Sequence, residues 1–100
     1  MNISITSRKF KARDTLKEYI QAEVISLEKY NDSILNAFVI LSYQNNKDSI
    51  KTAEVVLQIP GKTLKATETS DEYKKSVNAA IEKISRQLRK LKTKRAGRVK

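Results

Sequence analysis

A chain of 100 residues is long enough for one domain with a modest hydrophobic core. It has no cysteine and no histidine, which excludes disulfides, thiolate metal sites and imidazole acid–base chemistry. Twenty-one Lys and Arg against eleven Asp and Glu leave a formal charge of +10, the balance of a protein that meets polyanions.

In chain order, Asn2 to Thr6 alternates, with Ile3 and Ile5 on one face, and reads as a short strand. Ser7 to Arg13 is a polar connection with one apolar anchor, Phe10. A helix is expected from about Asp14 to Tyr30. There Leu16, Ile20, Val24 and Leu27 recur at spacings of three and four, and Tyr19 and Tyr30 flank the stripe. Asp14 stands where a carboxylate meets the free amides and dipole of a first turn, and Asn31-Asp32-Ser33 ends the helix.

Three strands follow. Ile34 to Tyr43 puts Ala37, Val39, Leu41 and Tyr43 on one face, and Gln44 to Ser49 is a polar hairpin loop. Thr52 to Ile59 puts Ala53, Val55, Leu57 and Ile59 on one face, and Pro60-Gly61 makes a tight turn. Lys62 to Glu68 points Leu64 and Ala66 one way and Thr63, Lys65 and Thr67 the other. A long helix then runs from about Ser70 to Lys92. Thr69 with Glu72 fits a capping box, and Ser70 is an alternative cap. Its stripe is Tyr73, Val77, Ala80, Ile81, Ile84, Leu88 and Leu91. Residues 1–92 therefore read as one domain and 93–100 as a basic, flexible tail.

The order β-α-β-β-β-α defines an α+β fold with a four-stranded mixed sheet. The first helix acts as a right-handed crossover between two parallel strands, and the last three strands form an antiparallel meander. Both helices carry an apolar stripe, so both should pack on one sheet face. The other face, with Phe38, Ile40, Glu54, Val56, Lys65 and Thr67, is expected to be largely open. Phe38 there could stack on a base, although a lone exposed aromatic is ordinary surface.

The charge is unevenly placed. From Arg86 to the C-terminus there are eight basic residues and no acidic one, carrying +8 of the +10. At 100° per residue, Lys75, Lys83, Arg86, Arg89 and Lys90 fall opposite the apolar stripe. With Lys92, Lys94 and Arg95 they are the candidate RNA-binding residues, and Arg8, Lys9, Lys17 and Lys29 are secondary candidates. A cationic helix face lies along phosphates, and each neutralised phosphate releases a counterion. No paired carboxylates and no nucleophile–base constellation are visible. The expectation is a non-enzyme with no cofactor, no metal and no small-molecule substrate. No signal-peptide core is present, and the longest apolar run, Ala37 to Leu41, cannot span a bilayer. A cytoplasmic monomer is expected.

Several local motifs then give the chain a family resemblance. Asn2-Ile3-Ser4-Ile5-Thr6-Ser7, Leu16-Lys17-Glu18-Tyr19-Ile20, Leu27-Glu28-Lys29-Tyr30, Ile59-Pro60-Gly61 and Lys83 to Lys92 follow one another across nearly the whole chain. In that order and spacing the chain resembles the hibernation-promoting factor and protein Y family of bacteria and plastids. The resemblance implies a translation inhibitor that binds the small ribosomal subunit between head and body, on its 16S-type rRNA. There it would exclude messenger and tRNA and keep idle ribosomes intact. By the same resemblance Lys83, Arg86, Lys90, Lys92 and Lys94 match the family's basic positions in the last helix, and Arg89 a position that is often basic.

The chain also departs from the pattern. Ala22, Glu23 and Ser26 stand where relatives often carry basic residues, leaving Lys17 and Lys29 as the first helix's cations. The start of the last helix, Glu72-Tyr73-Lys74-Lys75-Ser76-Val77-Asn78, differs from the usual Asp-hydrophobe-Tyr-x-Ala-Ile-Asp. Two rivals share part of the signal. A double-stranded-RNA-binding domain would carry a lysine cluster at the start of its last helix, approximated here only by Lys74-Lys75. A structural or interaction protein would dock its tail on acidic partners or membrane surfaces, but the apolar stripe a membrane-seeking helix needs is already used by this core.

Overall fold

The computed structural model describes the backbone of residues 1–8, 10–44 and 50–99, with side chains through 91 except at Gln44. Strand β1 (Asn2–Ser7) leads into α1 (Asp14–Ile25) and a 3-10 turn (Ser26–Lys29). Strands β2 (Asn36–Gln44), β3 (Ile50–Ile59) and β4 (Lys62–Ser70) precede α2 (Tyr73–Val99). The sheet order is β1-β2-β3-β4. β1 pairs with β2 in parallel, Ile3 opposite Ala37, and the other pairs are antiparallel. This is the α+β architecture expected, with two helices and a four-stranded mixed sheet. The expected 44–49 loop lies largely outside the described residues.

Period-two alternation sets which face is covered. Ala53, Val55, Leu57 and Ile59 of β3 are buried, as are Ala37, Val39 and Leu41 of β2 and Leu64 and Ala66 of β4. Ile20 and Val24 of α1, Leu27 of the turn, and Val77, Ala80, Ile81, Ile84 and Leu88 of α2 complete one core. The helices lie on a single face. Each returns antiparallel to the strand before it, and β1 and β4 run the same way, so α1 and α2 point in the same direction.

Several boundaries shift for local reasons. The first helix gives way at Ser26, whose hydroxyl donates to the Glu23 carbonyl at 2.6 Å. Such a bond back to the preceding turn competes with helical pairing, and the chain tightens into the 3-10 turn. Asp14 lies in the first turn of α1 without a capping hydrogen bond, so its contribution is to the dipole. Thr69 is held in the ladder opposite Thr52 and does not cap α2. Ser70 serves instead, its hydroxyl accepting the Glu72 amide at 3.1 Å. α2 starts at Tyr73 and carries helical backbone past Lys92 to Val99, through the segment read as a tail.

Two polar contacts fasten α2 to the sheet. Buried Ser76 donates to the Lys51 carbonyl of β3 at 2.8 Å, and Tyr73 donates to the Ser42 carbonyl of β2 at 3.2 Å. Phe10 stacks on Tyr73 with centroids 5.0 Å apart and meets Tyr43 edge-on at 5.9 Å, pinning the β1–α1 connection. Burial, then the neighbouring Tyr43, pushes the Tyr73 phenol above the ordinary tyrosine value. At the far end Gly61 takes φ +78 after Pro60, closing the β3–β4 hairpin.

The asymmetry between the two sheet faces has an energetic consequence. Leu57→Ala, in the covered face, should lower unfolding free energy by about 3 kcal/mol. Phe38→Ala, on the open face where Phe38 is 36% exposed, should cost about 1 kcal/mol or less. Urea unfolding of both variants checks the difference.

Candidate nucleic-acid interface

The helix layer carries most of the described cations that do not line the sheet. Once Val77, Ile81, Ile84 and Leu88 are fixed against the strands, geometry leaves Lys75, Lys83, Arg86, Arg89 and Lys90 exposed. They do not share one narrow line. Lys83 and Arg89 project from α2 about 120° apart, toward opposite flanks. On the β4 flank, Lys83 pairs with Glu68, and Gln87 donates to the Lys65 carbonyl at 3.4 Å. On the α1 flank, Arg89 lies over the Tyr30 ring, 5.7 Å from its centroid. Lys75 and Arg86 form the crest between them.

Lys75, Lys83 and Arg86 have carboxylate partners. Lys75 meets Asp71 at 3.2 Å and Arg86 meets Glu82 at 3.7 Å, both one turn away on the surface. The Lys75 hydrogen bond, then the Ser70 hydroxyl, holds the exposed Asp71 carboxyl below the usual carboxylate range. Exposed pairs of this kind contribute about 0–1 kcal/mol, so a phosphate can displace the carboxylate at little cost.

The α1 flank adds aromatic contacts. Lys29 and Arg89 both approach Tyr30, Lys29 at 5.1 Å from the ring centroid. Lys74 of α2 lies 5.5 Å from the Tyr19 centroid near the start of the two helices. Burial, followed by the charge and hydrogen bond of Glu23, raises the Tyr19 phenol above its ordinary value. Neither the placement of Lys74 over Tyr19 nor the use of the two tyrosines as cation platforms is predicted by the sequence. The only signal available there was the position of Tyr19 and Tyr30 at the edge of the apolar stripe.

The remaining candidates are dispersed. Arg8 is exposed beyond β1, its amide bound to the Leu41 carbonyl at 2.9 Å, and Lys17 is half-buried on α1. Lys9 and the side chains of Lys92, Lys94 and Arg95 lie outside the described residues, although the backbone at 92, 94 and 95 is helical. The open sheet face is nearly neutral by contrast. Lys65 is paired with Glu54 at 2.9 Å, and an amide ladder links Asn2, Asn36 and Gln58. Among the described residues no cluster could hold a metal ion, and no helix is long and apolar enough to cross a membrane.

These features define an α+β domain with a neutral sheet face and a cationic helix face. The chain belongs to the Sigma 54 modulation protein / S30EA ribosomal protein family, whose model matches residues 3–96; this is the family of the hibernation-promoting factors. It is 29% identical over 91 residues to a ribosome hibernation promotion factor of Deinococcus radiodurans, covering 89% of this chain and 48% of the relative. Its identity to the Staphylococcus aureus ribosome hibernation promotion factor is 29% over 80 residues, covering 80% of this chain and 42% of the relative. The chain thus spans about half the length of these curated relatives.

Solved structures agree on the fold. A ribosomal subunit interface protein from Coxiella burnetii superposes with TM-score 0.82 at 27% identity, over 93% of this chain and 99% of the other. The N-terminal domain of Thermus thermophilus Protein Y gives TM-score 0.81 at 23% identity, over 91% and 99%.

If the crest pairs are as weak as their exposure implies, removing them should hardly change folding. Arg86→Ala should shift unfolding free energy by about 0.5 kcal/mol or less. A loss of 2 kcal/mol in chemical denaturation would show that the cation is structural.

Proposed function

We propose that this chain is a ribosome-associated translation inhibitor. It binds the small subunit in the decoding channel, against 16S-type rRNA, and by occupying the messenger and tRNA sites it keeps idle ribosomes silent and intact. Membership of the hibernation-promoting factor family supports the ribosome as partner. The observation that carries the binding mode is the fan of cations on α2, from Arg89 over the crest to Lys83, left exposed by the docking of its apolar stripe. Structured RNA is recognised mainly through shape and phosphate spacing, and a rigid helix layer on a sheet offers a fixed array of charges for that purpose. No step of this action needs catalysis.

In this reading residues 1–92 form the binding domain and 93–100 a basic tail. Lys92, Lys94 and Arg95 act with the cations of the preceding turns, and Arg8, Lys9, Lys17 and Lys29 give secondary contacts. The protein acts as a cytoplasmic monomer. The double-stranded-RNA rival would need its lysine cluster at the start of α2. Of the pair standing there, Lys74 lies over Tyr19 and Lys75 pairs with Asp71.

Co-sedimentation with small subunits, whole ribosomes and free duplex RNA tests the partner. Binding to small subunits and ribosomes is expected, with weaker binding to the duplex; equal binding to all three, or none to ribosomes, contradicts the proposal. Arg86→Ala, Arg89→Ala and Lys90→Ala together should weaken ribosome binding. The slope of log affinity against log salt should become shallower by about 2 to 3, at roughly 0.7 to 0.9 per phosphate contact. In cell-free translation, added protein should block synthesis, and excess initiator tRNA with messenger should relieve the block.

A further inference from the structure

Strand β4 carries a charge where its alternation calls for an apolar side chain. Leu64 and Ala66 point into the core, and Glu68, the next residue of that parity, turns to the same face. It stands opposite fully buried Ala53 of β3 in the ladder. From there its carboxylate pairs with Lys83 of α2, joining the sheet to the helix layer.

This pair differs from those of the crest. The Asp71 and Glu82 side chains are 76% and 61% exposed, so water receives either carboxylate when its cation turns to a phosphate. Glu68 is only 25% exposed and rooted on a strand. A partly desolvated carboxylate that loses its cation is left with an uncompensated charge. A phosphate approaching Lys83 therefore separates the pair at that cost, or shares the lysine and meets the repulsion of Glu68. Counterions follow the same logic. A phosphate neutralised by a free lysine releases a condensed ion, whereas a lysine taken from Glu68 leaves a carboxylate that recruits one from solution.

We infer that Glu68 is an affinity-limiting residue on the RNA-binding face. It withholds the charge of Lys83 from a phosphate, so the β4 flank contributes less than its exposed lysine implies and the bound protein is easier to release. This rests on the proposed rRNA binding and adds to it a residue that opposes it. A carboxylate in this place also fastens α2 to β4, but Ser76, Tyr73 and Gln87 tie the same helix to the sheet by hydrogen bonds. A fastener alone predicts lower stability on substitution without tighter binding.

The test measures affinity of the full chain for purified small subunits across a salt series, with urea unfolding of each variant. Glu68→Gln removes the charge and keeps the shape. It should bind about three- to tenfold more tightly, the scale of one unit charge removed beside a phosphate near the surface. The slope of log affinity against log salt should steepen by about 0.7 to 0.9, one phosphate contact. Glu68→Leu, which continues the apolar alternation of Leu64 and Ala66, should keep the fold and show the same gain. Glu54 is the matched control, equally exposed and paired with Lys65 on the open sheet face. Glu54→Gln should change affinity by about twofold or less. With Lys83→Ala already in place, Glu68→Gln should leave the slope unchanged. Unchanged or weaker binding by folded Glu68 variants overturns the inference and leaves the functional reading standing. An equal gain from Glu54→Gln, or an equal steepening without Lys83, overturns it too. Loss of the fold in both Glu68 variants makes the carboxylate structural and has the same consequence. Failure of the unsubstituted chain to bind small subunits overturns the functional reading itself.

Discussion

Everything described here depends on both amphipathic helices burying their stripes on the same sheet face. Val55 and Leu57 in β3, Ile20 and Val24 in α1, and Ile84 and Leu88 in α2 share one dry core. Their removal from water is the main favourable contribution in a chain whose net charge opposes compaction. Because the stripes must face the strands, the polar faces of both helices must face outward together. The core thus decides where the cations are, and they add little to its stability. Buried Ser76 shows how tightly the rotation of α2 is set, since its hydroxyl meets the Lys51 carbonyl only at this orientation.

The resulting electrostatic asymmetry gives the molecule two different sides. On the open sheet face the described ion pair, Lys65 with Glu54, is internally neutral, and the amides of Asn2, Asn36 and Gln58 satisfy one another. The helix side holds its charges in readiness, some against surface carboxylates and some against tyrosine rings. Surface ion pairs are weak and screened by salt, so they keep side chains extended without locking them. A long polyanion therefore meets an array already spaced out along α2, which lowers the ordering cost of binding.

Much of the architecture was legible because it depends on local periodicity. Alternation at Ala53, Val55, Leu57 and Ile59 and the three–four spacing through Val77, Ala80, Ile81, Ile84 and Leu88 identified strand, helix and buried face together. The Pro60-Gly61 turn marked the hairpin. What remained hidden depends on partners distant in sequence. Thr69 reads locally as a helix cap, yet pairing with Thr52 keeps it in the sheet. Ser26 is the local exception, its bond to the Glu23 carbonyl tightening the helix in a way that apolar spacing does not register. The helical wheel placed Lys83 and Arg89 on one basic half, but only the packed structure shows Glu68 beside one and Tyr30 beside the other. Tyr19 and Tyr30 read as the edges of a stripe, and their use as cation platforms exists only once α1 and α2 are neighbours.

The helix layer, and not the open sheet face, is proposed as the side that meets ribosomal RNA. Lysine reactivity footprinting tests it directly, because described lysines stand on both sides of the molecule. Acetylation of each lysine would be compared in the free protein and in its complex with the small subunit. Strong protection of Lys83 and Lys90 on α2 is expected, with Lys65 on the open sheet face remaining reactive. Protection of Lys65 with Lys83 and Lys90 left reactive would contradict it.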